Sequence, residues 1–163
     1  NGRSIVLWPY GVLFRDAEKE MRTKMIQKDL VEAVIALGKN LFYNSGMESC
    51  LLLCRIEKQS KTKNKIIFID ARKEVRKEKQ MSYLDETHIQ KILNTYLEFK
   101  TVDGFSYIAD IDEVLENEFN LNVPLYVLPK SFSDGEDINA VFDDWVKSSD
   151  LLSNNMNHIF KEF

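Results

Sequence analysis

Two histidines, two cysteines and 26 carboxylates are the groups from which this 163-residue chain could build an active site, and their spacing limits what each can do. His88 and His158 both fall inside helical apolar patterns, with no serine or aspartate set out around them in a recognisable nucleophile arrangement. Both read as helix histidines. Cys50 and Cys54 lie four apart in an alternating apolar segment, so on a strand they face the same way about 13 Å apart, too far for a disulfide. They form no Cys-x-x-Cys pattern and have no histidine nearby, which reads as two structural thiols in a reducing compartment and no metal site. No Gly-x-Gly-x-x-Gly turn or P-loop is present, and no two carboxylates of the acidic C-terminal half stand out as an acid–base pair. Residue chemistry alone therefore assigns no catalytic residue.

Aromatic and basic side chains are what remains. Phe42 follows an apolar run and, as an aromatic after a strand, either packs inward or presents a ring face to a ligand. Tyr10, Phe14 and Arg15 come just after the first apolar run, at the strand end where open α/β sheets carry their sites, and could line a pocket or touch phosphate there. The net charge of −4 argues against a generic nucleic-acid binder, yet residues 55–79 hold ten basic side chains against four acidic ones. Lys61, Lys63 and Lys65 in this zone are either part of a solvated linker or contacts to a phosphate backbone.

These groups are carried by alternating strand and helix patterns. Ile5–Trp8, closed by Pro9 and Gly11, has no polar residue and predicts a buried, central strand. Ala17, Met21 and Met25 at helical spacing predict a helix capped by Asp16 and running to about Lys28. Leu30–Leu37 and Cys50–Ile56 predict two neighbouring strands, with the polar loop of residues 43–49 before the second. The Lys-rich turn of residues 60–64 and the strand Ile66–Ile69 suggest a hairpin. Ile89, Ile92, Leu93, Tyr96 and Leu97 predict a helix capped by Asp85 or Ser82. Residues 108–118 predict a short strand that turns helical at Asp110 or Asp112, and Pro124 forces extended backbone before it. Residues 131–137 form a polar link to two further amphipathic helical patterns.

At 44% hydrophobic content the chain can bury one sizeable core, and no apolar run approaches the roughly 20 residues of a membrane span. It opens on Asn1-Gly2-Arg3 with neither an initiator methionine nor a signal pattern, and reads as a piece of a longer protein.

Five segments then resemble one family in order. They are the run from Ser4 through Trp8-Pro9-Tyr10-Gly11-Val12-Leu13-Phe14 to Arg15; Asp29 to Leu37 followed by Asn40-Leu41-Phe42-Tyr43-Asn44-Ser45-Gly46; Phe68-Ile69-Asp70-Ala71; Gly104-Phe105-Ser106; and Asn120 to Val127. They are similar to the C-terminal part of the catalytic domain of type I restriction-modification DNA adenine-N6 methyltransferase modification subunits. Trp8 is a small departure, and Gly38 stands where the family often has proline.

The resemblance implies an α/β fold over residues 1–130, the last strands of a Rossmann-like, mostly parallel S-adenosylmethionine-dependent methyltransferase sheet with one reversed strand. Residues 131–163 would be a helical extension that contacts a partner subunit. It implies a parent enzyme that moves a methyl group from S-adenosylmethionine to N6 of an adenine flipped out of double-stranded DNA. The parent would be cytoplasmic, working with a specificity subunit, a second modification subunit and, where the complex also cuts, a restriction subunit. Phe42 takes the base-stacking position in this resemblance, with Tyr43 beside it and Tyr10, Phe14 and Arg15 as further substrate contacts. The donor-binding glycine motif and the Asn/Asp-Pro-Pro-aromatic loop are absent from the sequence, so this piece alone is expected neither to bind the donor nor to methylate. The alternative is a non-catalytic methyltransferase-like scaffold in a DNA-bound assembly.

Overall fold

The computed structural model describes residues 2–42, 45–79 and 81–128. Among these residues seven strands form: β1 (Arg3–Pro9), β2 (Val31–Leu37), β3 (Ser49–Arg55), β4 (Lys65–Ala71), β5 (Arg76–Glu78), β6 (Met81–Tyr83) and β7 (Ser106–Asp110). The helices are α1 (Lys19–Gln27), α2 (Glu86–Glu98) and α3 (Ile111–Glu116). Five strands make one mixed sheet in the order β1-β3-β2-β4-β7, and β5 and β6 form a separate hairpin.

The most apolar strand takes the centre. All seven residues of β2 are buried, and it pairs antiparallel with β3 on one side and parallel with β4 on the other. β3 and β4 are therefore not the hairpin that their sequence proximity suggests, because β2 lies between them and residues 56–64 cross its end. The register of β2 against β3 slips at Glu32, so that Val31 and Ala33 feed opposite hydrophobic clusters instead of one. The buried Glu32 carboxylate accepts a 2.7 Å hydrogen bond from Arg55 Nε, which compensates its removal from water.

Strand alternation divides the core in two. On one face Val34, Ala36, Cys50, Leu52, Ile66 and Phe68 pack with Leu13, Ile26 of α1, Val114 of α3 and the segment from Leu121 to Val127. Phe68 stacks on Tyr126 with ring centroids 3.9 Å apart, an arrangement worth about 0.5–1.5 kcal/mol beyond the area it buries. On the other face Ala33, Ile35, Leu37, Ile67 and Ile69 pack against Phe99, Phe105 and the inner side of α2.

α2 is the helix its periodicity predicts. His88 Nδ1 accepts the Asp85 N–H at 3.2 Å and completes a capping box, which makes it a satisfied helix histidine. Ile92 and Tyr96 face the sheet, while Ile89, Leu93 and Leu97 make an exposed stripe on the outer side. Cys50 and Cys54 share the α1 face as free thiols, and burial pushes Cys50 up to about 12.

Three further expectations change. β1 is an exposed edge strand among the described residues, with Ile5 65% and Leu7 46% exposed, since only β3 pairs with it. α1 begins at Lys19 after a 3-10 turn over Asp16–Glu18, and its buried face is Arg22 and Ile26 rather than the methionines. Two strands, β3 and β7, run against β1, β2 and β4 where one reversal was implied. The second reversal follows from the path after α2: Lys61 Nζ reaches the Glu98 carbonyl at one end of the sheet, and residues 99–105 climb back to bond Asp70 N–H at the other. The expected extension over 131–163, including His158, lies outside the described residues.

Candidate functional site

β1, β2 and β4 point the same way, so their carboxyl ends bring Tyr10, the loop after Leu37 and the turn after Ala71 to one rim of the sheet. This is the rim where open α/β sheets bind ligands. Tyr10 leaves β1 through Pro9, and its N–H donates to the Glu48 carbonyl at 3.2 Å, extending the β1–β3 ladder by one bond. Its hydroxyl donates to Asn122 Oδ1 at 3.0 Å and accepts the Val123 N–H at 3.3 Å. Burial pushes the Tyr10 hydroxyl up to about 12, so it stays protonated and its role is to anchor the rim to the 122–123 segment.

Arg72 sits over this ring, with its guanidinium carbon 5.9 Å from the Tyr10 centroid. It grips Asp70 in a two-point pair, Nε–Oδ1 2.8 Å and Nη2–Oδ2 2.6 Å, and its third nitrogen lies 3.9 Å from Glu48. Burial works to raise the Asp70 carboxyl, but the Arg72 hydrogen bonds and charge outweigh it and hold the group below its ordinary value. The hydrogen bonds that Arg72 donates to Asp70 in turn raise Arg72. One ion pair thus joins the ends of β1, β3 and β4.

The loop that follows β2 is held from two sides. At Gly38 an added Cβ would come within 2.7 Å of the Arg72 carbonyl and 3.0 Å of Val75 Cγ1, so only glycine lets the 72–75 turn lie this close. Asn40 is in the left-handed region at φ 59°, and its carbonyl accepts the Ser82 N–H of β6 at 2.8 Å. The Phe42 carbonyl then accepts the Ser45 N–H at 3.0 Å, and its side chain is 38% exposed rather than part of either core. Tyr43 lies outside the described residues.

The other anticipated residues divide between the two ends of the sheet. Phe14, 44% exposed, meets Tyr10 edge to face at 6.2 Å. Arg15 is paired with Glu18 at 2.6 Å. Lys61, Lys63 and Lys65 lie at the amino ends of β2 and β4, a seven-residue strand, roughly 20 Å, from the Phe42 rim. Lys65 pairs there with Asp110 at 3.0 Å, and Lys61 caps the end of α2.

Asp70, Arg72 and Glu48 were not singled out by residue type. Asp70 could have been, because a carboxylate that ends a wholly apolar strand of an α/β sheet stands at the binding rim. Glu48 and Arg72 carry no such signal, since their partners are distant in sequence. Ser49, at the start of β3, keeps a buried hydroxyl with no hydrogen-bond partner among the described residues.

None of the described strand-to-helix turns offers the glycine loop that would cradle a methyl donor: β1 passes through Pro9 into the 3-10 turn Tyr10–Leu13. The described residues thus include no glycine cradle for a donor. Among them there is also no group of three or more metal-ligating side chains, and no helix long and apolar enough to cross a membrane.

The family model described as N-6 DNA Methylase matches residues 1–135, and the chain belongs to that family. It is 38% identical over 138 residues to the type I restriction enzyme MjaVIII methylase subunit of Methanocaldococcus jannaschii, covering 82% of this chain and 24% of that protein. It is 29% identical over 139 residues to the type I restriction enzyme MpnII methylase subunit of Mycoplasma pneumoniae, covering 85% and 25%. The crystal structure of a type I restriction-modification methyltransferase subunit from Streptococcus thermophilus superposes with a TM-score of 0.73 at 34% identity, over 78% of this chain and 27% of that one. The chain spans about a quarter of the length of the curated relatives it matches. The family resemblance carried by the five ordered segments is borne out.

Proposed function

We propose that this chain forms the base-receiving rim of a type I modification subunit whose parent methylates adenine N6 in double-stranded DNA. The observation that carries the reading is Phe42: in a member of the N-6 DNA methylase family, a half-exposed ring sits on a loop held at the carboxyl ends of three co-directional strands.

An adenine inside a duplex cannot be reached at N6, so it must leave the stack and find another flat surface. Phe42 offers that surface, with Tyr43 next to it in sequence. Tyr10 and Phe14 border the rim, the Asp70–Arg72 pair keeps it in shape, and Arg15 is a flanking substrate contact. Lys61, Lys63 and Lys65, at the far end of the strands, would meet backbone phosphates away from the flipped base. The methyl group would come from S-adenosylmethionine held by other parts of the parent, which would act with specificity, modification and restriction subunits in the cytoplasm.

The test is made in the complete parent enzyme with 2-aminopurine at the target adenine. Replacing Phe42 by Ala should weaken the extruded state by about 1–3 kcal/mol, with altered probe fluorescence, slower methylation and nearly unchanged melting. A large drop in melting with normal flipping would make Phe42 a structural ring, since losing a core phenylalanine costs about 3–5 kcal/mol.

A further inference from the structure

The fold cuts the basic zone of residues 55–79 into two groups with different chemistry. In the group at the amino ends of β2 and β4 three of five cations are paired within the protein, Arg55 with Glu32, Lys58 with Asp29 and Lys65 with Asp110, which leaves Lys61 and Lys63 without an ion pair among the described residues. The group at the carboxyl ends has more unpaired cations. There the carboxylates are already engaged, Glu48 and Asp70 with Arg72, Glu74 with Lys91, and Glu78 with Arg76, which also reaches Asp85. Lys39, Lys73, Lys77 and Lys79 are exposed and form no ion pair among the described residues. Four ammonium groups on the rim that carries Phe42 thus have no ion-pair partner among these residues, and the seven cations named there exceed the five carboxylates by two.

Lys39 is on the Phe42 loop itself, and the turn and hairpin that carry the other three touch that loop. Lys39 lies between Gly38, against which the 72–75 turn is pressed, and Asn40, whose carbonyl is bonded to Ser82 of the β5–β6 hairpin. Lys77 is in β5, and Lys79 follows it in the left-handed region at φ 53°, a conformation that disfavours a lysine and is kept where surrounding structure or function demands it.

Resting on the base-receiving reading of Phe42, we infer that Lys39, Lys73, Lys77 and Lys79 grip the DNA backbone at the phosphates flanking the flipped adenine. A flipped base puts its own phosphates against the mouth of the pocket, where unpaired ammonium groups release counterions on binding. The surface then positions the strand without reading its sequence.

The experiment compares the complete parent enzyme with its K73S/K77S/K79S variant on duplex DNA containing the target site. With three ammonium–phosphate pairings removed, the magnitude of the salt slope, log K against log salt, should fall by about 2.7. Ethylation interference should disappear at phosphates next to the target adenine. A K73R/K77R/K79R variant, which keeps the charge, should retain the wild-type slope. An unchanged slope in the serine variant, or interference that disappears only at phosphates more than a helical turn from the target, overturns the inference. Failure of the underlying reading shows separately, as a Phe42→Ala parent whose melting drops strongly while the target adenine is still flipped normally.

Discussion

The Arg72 carbonyl lies 2.7 Å from the position a Cβ would occupy on Gly38, so the turn after β4 rests directly on the backbone that leads to Phe42. The obstruction is backbone, which cannot rotate aside as a side-chain tip can. Gly38→Ala should therefore force the two segments apart and lower stability by about 1–3 kcal/mol. Thermal melting checks the cost, and amide exchange at Asn40 and Ser82 checks whether the loop has come loose. Unchanged protection at both would mean that the loop is held elsewhere.

The Asp70–Arg72 pair makes a prediction in pH. Because the folded carboxyl is held below its ordinary value of 3.8, it binds fewer protons than the unfolded chain as pH falls past that value. Its contribution is complete above the unfolded value and is lost as pH drops through the lower folded one. Asp70→Asn should cost roughly 1–3 kcal/mol at pH 7, where Arg72 loses its charged partner, and the gap to the wild type should narrow below about pH 4. Urea unfolding at pH 7 and pH 3 measures both.

Arg22 is a buried cation that serves backbone rather than a carboxylate. Its Nη1 donates at 2.8 Å to both Val12 O and Arg15 O, and its Nε at 3.2 Å to Phe119 O. Burial lowers its proton affinity while nearby Glu18 and Asp16 act to raise it. Arg22→Met should leave three carbonyls without their donor and cost on the order of 3 kcal/mol, more than a surface arginine would. A melting temperature within 2 °C of the wild type, a difference of about 1 kcal/mol at most, would refute this role.

A fourth expectation concerns the methyl donor. With no glycine loop among the described turns, the 163-residue chain by itself should give no heat of binding with S-adenosylmethionine in calorimetry. Micromolar affinity would mean that residues of the base-receiving rim hold the donor instead.

Local pattern determined much of this protein. Apolar runs with β-branched residues mark β2, β3 and β4, period-3.6 spacing and Asp85 mark α2, and the five ordered segments carry the family, because these signals are complete within a dozen residues. Phe42 was legible as an aromatic following a strand. Its half-exposed setting was not, since it depends on Ser82 and Arg72 reaching the loop from 30 to 40 residues away. The same holds for β1, whose apolar residues spell a buried strand although only one neighbour pairs with it here. It holds too for residues 60–64, whose turn chemistry spells a hairpin although β2 takes the place between β3 and β4. Pairing partners, the Asp70–Arg72–Glu48 junction and the separation of the lysines into two ends of the sheet were decided by tertiary structure alone. Each is a choice among distant segments made by burying the most apolar strand at the centre, and no local window contains that competition.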